Sequence, residues 1–263
     1  MNPDDVQVLS LMVKAEKEAA KLMLEAHNIL TENKSSSRDV VTEYDKRIEE
    51  FLRGQMLASL PEAKFLGEET EKDDAMSPCL FIIDPIDGTM NFVRGFHRSC
   101  ISMAFARGGV VHAAAVYNPY LDEMFTAVKD GGAFLNGKKL QASDAALADS
   151  IVCIGTSPYD PDRTDRTFAL ARLAFDHSLD IRREGSAELD YCSVAAGRAG
   201  LYFECGLSIW DFAAGALIAA EAGAAVCTLD GTPMPYTGER SSAVAGSPAA
   251  IEEFFRLIKE NNI

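Results

Sequence analysis

The chain is short of positive charge: 25 lysines and arginines face 40 aspartates and glutamates, a formal net charge of −15. Nucleic acid and anionic membrane both demand a basic face, so the deficit argues against either as a partner. A small anionic substrate stays open, because bound divalent cations reverse the local field. The six cysteines, at 79, 100, 153, 192, 205 and 227, include no C-x-x-C pair. Most fall in apolar or β-like runs and read as buried reduced thiols, which argues against disulfides and a zinc site. Long hydrophobic runs are missing too. The most apolar stretch, 212–227, is interrupted by Glu221 and rich in alanine and glycine. It reads as a packed helix and strand, too short to span a bilayer. The opening Met-Asn-Pro-Asp-Asp is acidic where a signal peptide is basic, and no apolar segment follows. The expectation is a soluble cytoplasmic protein. Internal repeats and low-complexity tracts are absent.

What is present is enough for a large core: 263 residues with 48% hydrophobic content. Apolar residues recur at helical spacing over 6–30, behind a Pro3-Asp4-Asp5 start. Residues 33–38 are a polar break of the kind that stays mobile. A second helix is expected over 42–60, ended by Pro61, and a short strand over 63–67. The apolar run 79–83 reads as a buried strand. From 99 to 140 the runs 101–106, 110–117, 123–128 and 133–135 are separated by Gly-Gly, Asn-Pro and Asp-Gly-Gly, the signals of an antiparallel meander. After about 146 the order alternates: strand 151–155, helix 163–176, strand 179–183, helix 186–196, strand 201–204, helix 208–221, strand 224–227 and helix 248–259. These two grammars predict an α+β N-terminal subdomain over 1–145 and an α/β C-terminal one over 146–263, with a cleft between them.

The residues able to do chemistry are mostly acidic. Asp84-Pro85-Ile86-Asp87-Gly88-Thr89 follows the apolar run. It offers two oxygen-only ligands beside the free backbone N–H groups of Gly88 and Thr89. Glu68 and Glu69 follow Gly67 at a strand end. Asp211 opens an apolar helix after Trp210, and Glu204 closes a strand. Asp45 reads by itself as a helical surface acid, and Lys34 as a solvated loop lysine. Carboxylates at strand ends and helix starts are where α/β proteins build sites. Two like charges about 4 Å apart repel by about 4 kcal/mol at an effective dielectric of 20, and a cation is the simplest relief. Metal-dependent phosphate chemistry is therefore the first expectation.

Gly67-Glu68-Glu69, the run from Asp84 through Thr89 to Met90-Asn91-Phe92, and Trp210-Asp211-Phe212-Ala213-Ala214-Gly215 together resemble the inositol monophosphatase family. The second and third match its two signature motifs. The likeness continues through Asp130-Gly131-Gly132-Ala133-Phe134-Leu135-Asn136-Gly137 and through Gly185-Ser186-Ala187 to Glu204, covering almost the whole chain. The resemblance implies a layered αβαβα sandwich that forms a homodimer. It also implies two or three Mg²⁺ per site. Glu68, Asp84 and the Ile86 carbonyl match the ligands of the first ion. Asp84, Asp87 and Asp211 match those of the second, with Asp84 bridging, and Glu68 also matches a ligand of a weaker third. Asp45 and Thr89 match the pair that orients the attacking water, with Glu68 counted among the catalytic residues. Gly88 and Thr89 match the phosphate cradle. Asp87, Gly185, Ser186, Ala187, Glu204 and Asp211 match positions at the substrate. Lys34 lies where the family has a mobile-loop lysine, and Thr156 and Ser157 match more loosely.

The implied activity is hydrolysis of a small-molecule phosphate monoester, myo-inositol monophosphate first, by a metal-activated water and without a phosphoenzyme. Lithium sensitivity belongs to the same resemblance. Met90 stands where many relatives have threonine or another polar residue, at a position that varies. Asn91 stands where the branch acting on 3′-phosphoadenosine nucleotides typically has Glu or Asp, and so leans towards sugar or polyol phosphates. Fructose 1,6-bisphosphate, histidinol phosphate and 3′-phosphoadenosine nucleotides remain alternative substrates. A regulatory interaction protein with an incidental phosphatase site is the alternative of a different class.

Overall fold

The computed structural model describes residues 2–36, 39–69, 73–158, 160–237 and 239–263. Helix α1 (Pro3–Leu24) leads into a hairpin of β1 (Thr31–Ser36) and β2 (Asp39–Thr42) and then helix α2 (Glu43–Ser59). Next come β3 (Lys64–Gly67), β4 (Leu80–Asp87) and the short helix α3 (Thr89–Arg94). The meander follows as β5 (Cys100–Arg107), β6 (Val110–Asn118), β7 (Glu123–Val128), β8 (Gly132–Leu135) and β9 (Lys138–Lys139). Then come β10 (Ile151–Ile154), α4 (Thr164–His177), β11 (Asp180–Arg182), α5 (Ala187–Ala195) and β12 (Leu201–Leu207). The chain finishes with α6 (Ala213–Glu221), β13 (Ala225–Cys227), β14 (Ser241–Gly246) and α7 (Pro248–Asn261).

A seven-stranded sheet runs β3-β4-β5-β6-β7-β8-β9, and a five-stranded sheet runs β11-β10-β12-β14-β13. Strand β4 is buried along its whole length, which explains its unbroken apolar run: both faces are covered. Phe81 and Ile83 share a core with Met12 of α1 and Ile48 and Leu52 of α2. Leu80 and Ile82, on the other face, share one with Cys192 of α5 and Phe212 and Leu217 beside and within α6. That second core also takes Cys153, Tyr202 and Ala245 of the five-stranded sheet. The outer face of the five-stranded sheet packs Phe203 and Val152 against Leu170 of α4 and Phe254 of α7. The layers therefore run α1/α2, sheet, α5/α6, sheet, α4/α7, the αβαβα order.

Several elements depart from the sequence expectation. Helix α1 stops at Leu24, and the apolar residues after it belong to a connection in which Asn28 takes a positive φ of 51°. The expected polar break is a strand over 33–36, paired antiparallel with β2; Ser37 and Arg38 lie outside the described residues. Ladder bonds come from backbone, so a polar hairpin off the main sheets leaves no apolar period to read. The expected single helix 208–221 is a 3₁₀ turn (Ile209–Asp211) followed by α6, broken where Phe212 takes φ −140°. Strand β14 was not expected; it lies between β12 and β13, antiparallel to both.

The departure that matters most is in β4. The aspartates lie within the strand, where the register with β5 slips: Asp84 faces Ser102 and Asp87 faces Cys100. Three steps on β4 thus oppose two on β5. In a regular strand, residues three apart point to opposite faces. The bulge places Asp84 and Asp87 on one face, towards α5. Pro85, with no N–H to give, is tolerated at such a bulge.

Candidate active site

The bulge opens into a cleft of about 790 Å³, counted to its open mouth, whose walls include Glu68, Asp84, Asp87, Thr89, Glu204 and Asp211. Asp84 and Asp87 share β4, and each of the other wall residues arrives from a different part of the chain. Asp84 is 2% exposed, and its Oδ1 accepts from the Ile86 N–H at 3.0 Å. Burial first, then the charges of Glu68, Asp87, Asp211 and Asp45, push its carboxyl well above the ordinary range. Asp87 Oδ2 accepts from Ser186 Oγ at 2.5 Å and from the Glu188 N–H at 2.7 Å, and Oδ1 from the Ala187 N–H at 3.3 Å. These donors come from the first turn of α5, whose unpaired amides suit a carboxylate. Burial nevertheless pushes the Asp87 pKa up to about 6.

Asp211 ends the 3₁₀ turn, where its Oδ2 accepts from the Ser208 N–H at 2.6 Å. Burial, then Glu68, raise its pKa well above the usual value. Asp45 is 1% exposed and closes a capping box at the start of α2. The Thr42 N–H and Oγ1 donate to its Oδ2 at 2.8 and 2.5 Å. Its free oxygen Oδ1 lies 3.3 Å from Thr89 Oγ1, which also sits 3.1 Å from the Ile86 carbonyl. One hydroxyl proton cannot serve both acceptors fully, so Thr89 has two orientations to choose between. Burial pushes the Asp45 pKa up to about 6.

Gly88 occupies the turn into α3 with φ +85°. A Cβ there would stand 2.9 Å from the Arg98 carbonyl and 3.1 Å from the Gly185 carbonyl. Both the backbone angle and the space require glycine. Asn91 Nδ2 faces the Arg98 and Glu184 carbonyls at 2.7 and 2.8 Å, so it ties α3 to the segment before α5. Lys34, from β1, donates to Glu68 Oε1 at 2.8 Å and also to Glu69. Burial disfavours its charge, but Glu68 and Glu69 more than offset this and raise its pKa.

Glu204, 8% exposed, accepts from Ser157 N and Oγ at 3.1 and 2.9 Å on Oε1 and from Tyr202 OH at 3.0 Å on Oε2. Ser157 therefore holds Glu204, while Thr156, Gly185, Ser186 and Ala187 line the cleft. All the residues expected at the site gather on one cleft, with Asp45 behind Thr89 and Lys34 at the Glu68 edge.

The donor set is all oxygen and, around Asp84, negative on several sides, which fits a hard divalent cation. As they stand, no three Asp, Glu, His or Cys side chains among the described residues are close enough to enclose an ion. The hydrogen bonds above account for their orientation: Glu68 is turned to Lys34, Asp87 to α5 and Asp211 to Ser208.

Two charged cleft residues escaped the sequence reading. Arg183 lines the mouth, and Asp190 lines the wall beside Glu204. Asp190 is 1% exposed and its Oδ1 has no hydrogen-bond partner among the described residues. Its spacing was the available signal, since Ser186 and Asp190 stand four apart on one helical face.

The whole chain carries the pattern of one family: residues 4–262 match the model of the inositol monophosphatase family. The chain belongs to that family. It is 36% identical over 264 residues to a Nus factor SuhB of Vibrio cholerae, covering 97% of this chain and 96% of the relative. It is 35% identical over 246 residues to an inositol-1-monophosphatase of Rhizobium meliloti, covering 91% of each. The crystal structure of extragenic suppressor protein suhB from Bartonella henselae superposes with a TM-score of 0.90 at 32% identity, covering 97% of this chain and 99% of that one. An IMPase/NADP phosphatase complexed with Mg²⁺ and phosphate superposes with a TM-score of 0.83 at 26% identity, covering 97% and 94%. Among the described residues, no helix of this family member is long and apolar enough to cross a membrane.

Proposed function

We propose that this inositol monophosphatase family member is a Mg²⁺-dependent phosphomonoesterase of sugar or polyol phosphates, with inositol monophosphate the leading candidate. The observation that supports it most is the β4 bulge, which turns Asp84 and Asp87 to the same side as Glu68 and Asp211 beside the Gly88–Thr89 turn. Glu68, Asp84 and the Ile86 carbonyl would hold one ion, and Asp84, Asp87 and Asp211 a second. Mg²⁺ there would supply positive charge to the phosphoryl oxygens and make water a stronger nucleophile at neutral pH.

The chain's own residues divide the remaining work. Thr89 Oγ1 donates to Asp45 Oδ1, so a proton released at Thr89 has an acceptor 3.3 Å away. Asp45 is suited to that role because burial holds its pKa near 6 while Thr42 fixes its other oxygen. The backbone N–H groups of Gly88 and Thr89 receive the phosphate. Ser186, Ala187 and Glu204 face the alcohol. Water rather than Thr89 is the nucleophile in this reading, with Thr89 Oγ1 held between Asp45 Oδ1 and the Ile86 carbonyl as a proton relay.

A second, binding role draws support from relatives that carry the name Nus factor SuhB. It would use surfaces away from the cleft, and the charge of −15 disfavours direct contact with nucleic acid. Phosphate release from inositol 1-phosphate, fructose 1,6-bisphosphate, histidinol phosphate and 3′-phosphoadenosine 5′-phosphate, with Mg²⁺ and with a chelator, tests the enzymatic reading. Chelator-sensitive release that Mg²⁺ restores is expected. No release from any ester, or release indifferent to the chelator, overturns it.

A further inference from the structure

Six acidic side chains line the cleft, and against them stands one basic side chain among the described lining residues, Arg183. Its neighbours in sequence and space are occupied: Arg182 is paired with Asp180, and Arg98 with Glu184 at 3.0 Å. Arg183 has no ion pair among the described residues. Its hydrogen bond there is from Nε to Thr156 Oγ1 at 3.3 Å, which aims the guanidinium without neutralising it. The two Nη groups, the fork that recognises a planar or tetrahedral anion, are left available.

The guanidinium also has a defined seat. It lies over Gly185, where a Cβ would come within 2.5 Å of Arg183 Nη1. The same glycine's carbonyl abuts Gly88, at 3.1 Å from the position a Gly88 Cβ would take. Gly185 thus separates the Gly88–Thr89 turn, where the reacting phosphate is received, from a free cation at the cleft mouth. Glu204 offers a neutral alcohol's hydroxyls an acceptor, whereas the full charge and planar fork of Arg183 are answered most strongly by an anionic group. An alcohol carrying a second anion, entering past Glu204 and Asp190, supplies one.

We propose that Arg183 is a specificity determinant that binds a second anionic group on the leaving alcohol, making sugar or polyol bisphosphates preferred over the matching monophosphates. The inference rests on the phosphomonoesterase reading and, within it, ranks a bisphosphate above the inositol monophosphate that the family likeness puts first. Without Arg183 the charged side chains that a second anion would meet among the described lining residues are all carboxylates. A hydrogen-bonded charge of this kind changes affinity by roughly 10- to 100-fold.

The test compares fructose 1,6-bisphosphate with fructose 1-phosphate, which differ only in the second phosphate. In Mg²⁺, the unmodified protein is expected to favour the bisphosphate in kcat/KM. Arg183→Gln should collapse the ratio of the two values by roughly 10- to 100-fold, mostly through KM on the bisphosphate. Arg183→Lys, which keeps the charge and loses the fork, should restore part of it. A ratio unchanged by Arg183→Gln, whether both values fall together or neither does, overturns the proposal. If the unmodified protein hydrolyses no ester, the phosphatase reading fails by itself. Calorimetric binding of fructose 1,6-bisphosphate to Asp45→Asn, with and without Arg183→Gln, then decides the role of Arg183. A loss of affinity in the same range supports it, and equal affinity overturns it.

Discussion

Ser186 Oγ donates to Asp87 Oδ2 at 2.5 Å, joining the first turn of α5 to the bulge of β4. That bond and the two α5 amides fix which way the Asp87 carboxylate faces. A partner that orients a ligand commonly changes metal affinity or activity by about 10- to 100-fold when removed. Ser186→Ala is therefore expected to raise the Mg²⁺ concentration needed for half-maximal activity by about 10-fold or more. A Mg²⁺ titration of phosphate release measures it, and an unshifted midpoint counts against this role for Ser186.

Asp45 does not line the cleft and meets it through its contact with Thr89, so its removal should slow the chemical step while leaving ion binding in place. General-base catalysis contributes about 10²- to 10⁴-fold. Asp45→Asn, which can keep the bond from the Thr42 N–H, should lower kcat within that range with little change in the calorimetric affinity for Mg²⁺. Loss of Mg²⁺ binding in that variant would instead mark Asp45 as part of the ion site.

Glu16 is buried on α1, and neither of its carboxylate oxygens has a hydrogen-bond partner among the described residues. Burial, then the charge of Glu188, raise its pKa well above the ordinary 4.5. Below 4.5 the group is protonated in both folded and unfolded chains and costs nothing in this balance. Above it the unfolded chain ionises while the folded one keeps its proton, so stability falls as pH rises towards the folded pKa. The slope is up to about 1.4 kcal/mol per pH unit. Denaturant unfolding of Glu16→Gln between pH 5 and 8 should show a flatter fall than the unmodified protein. A parallel fall would show that Glu16 does not titrate as inferred.

Gly88→Ala should destabilise the fold as well as the site. The left-handed backbone costs an alanine about 1–2 kcal/mol. The new Cβ would also press on the Arg98 carbonyl at 2.9 Å. Thermal unfolding should shift down by several degrees, and an unshifted transition would mean the turn relaxes without cost.

The parts of the site legible in the sequence were those with local chemistry. The run 79–83 is unbroken because β4 is covered on both faces, and a proline and a glycine around the two aspartates announced a turn. The resemblance assigned Asp211, Glu68 and Asp45 to the same site. What stayed hidden depends on partners far away in the chain. The slip that brings Asp84 and Asp87 to one face exists only against β5. Strand β14 owes its place to β12 and β13 on either side, while its own Ser-Ser-Ala-Val-Ala-Gly has little strand propensity. Arg183 looks like any surface arginine until the folded cleft shows that Arg98 and Arg182 are in ion pairs while Arg183 makes none among the described residues.

The most direct test of the central claim, that the carboxylates gathered at the β4 bulge hold the ions for phosphomonoester hydrolysis, is phosphate release by Asp84→Asn across a Mg²⁺ titration. Circular dichroism and thermal unfolding would be read alongside to establish that the fold is kept. Loss of turnover by several orders of magnitude at every Mg²⁺ concentration, in a folded protein, is the expected result. Turnover near that of the unmodified protein, with the same Mg²⁺ dependence, would contradict it.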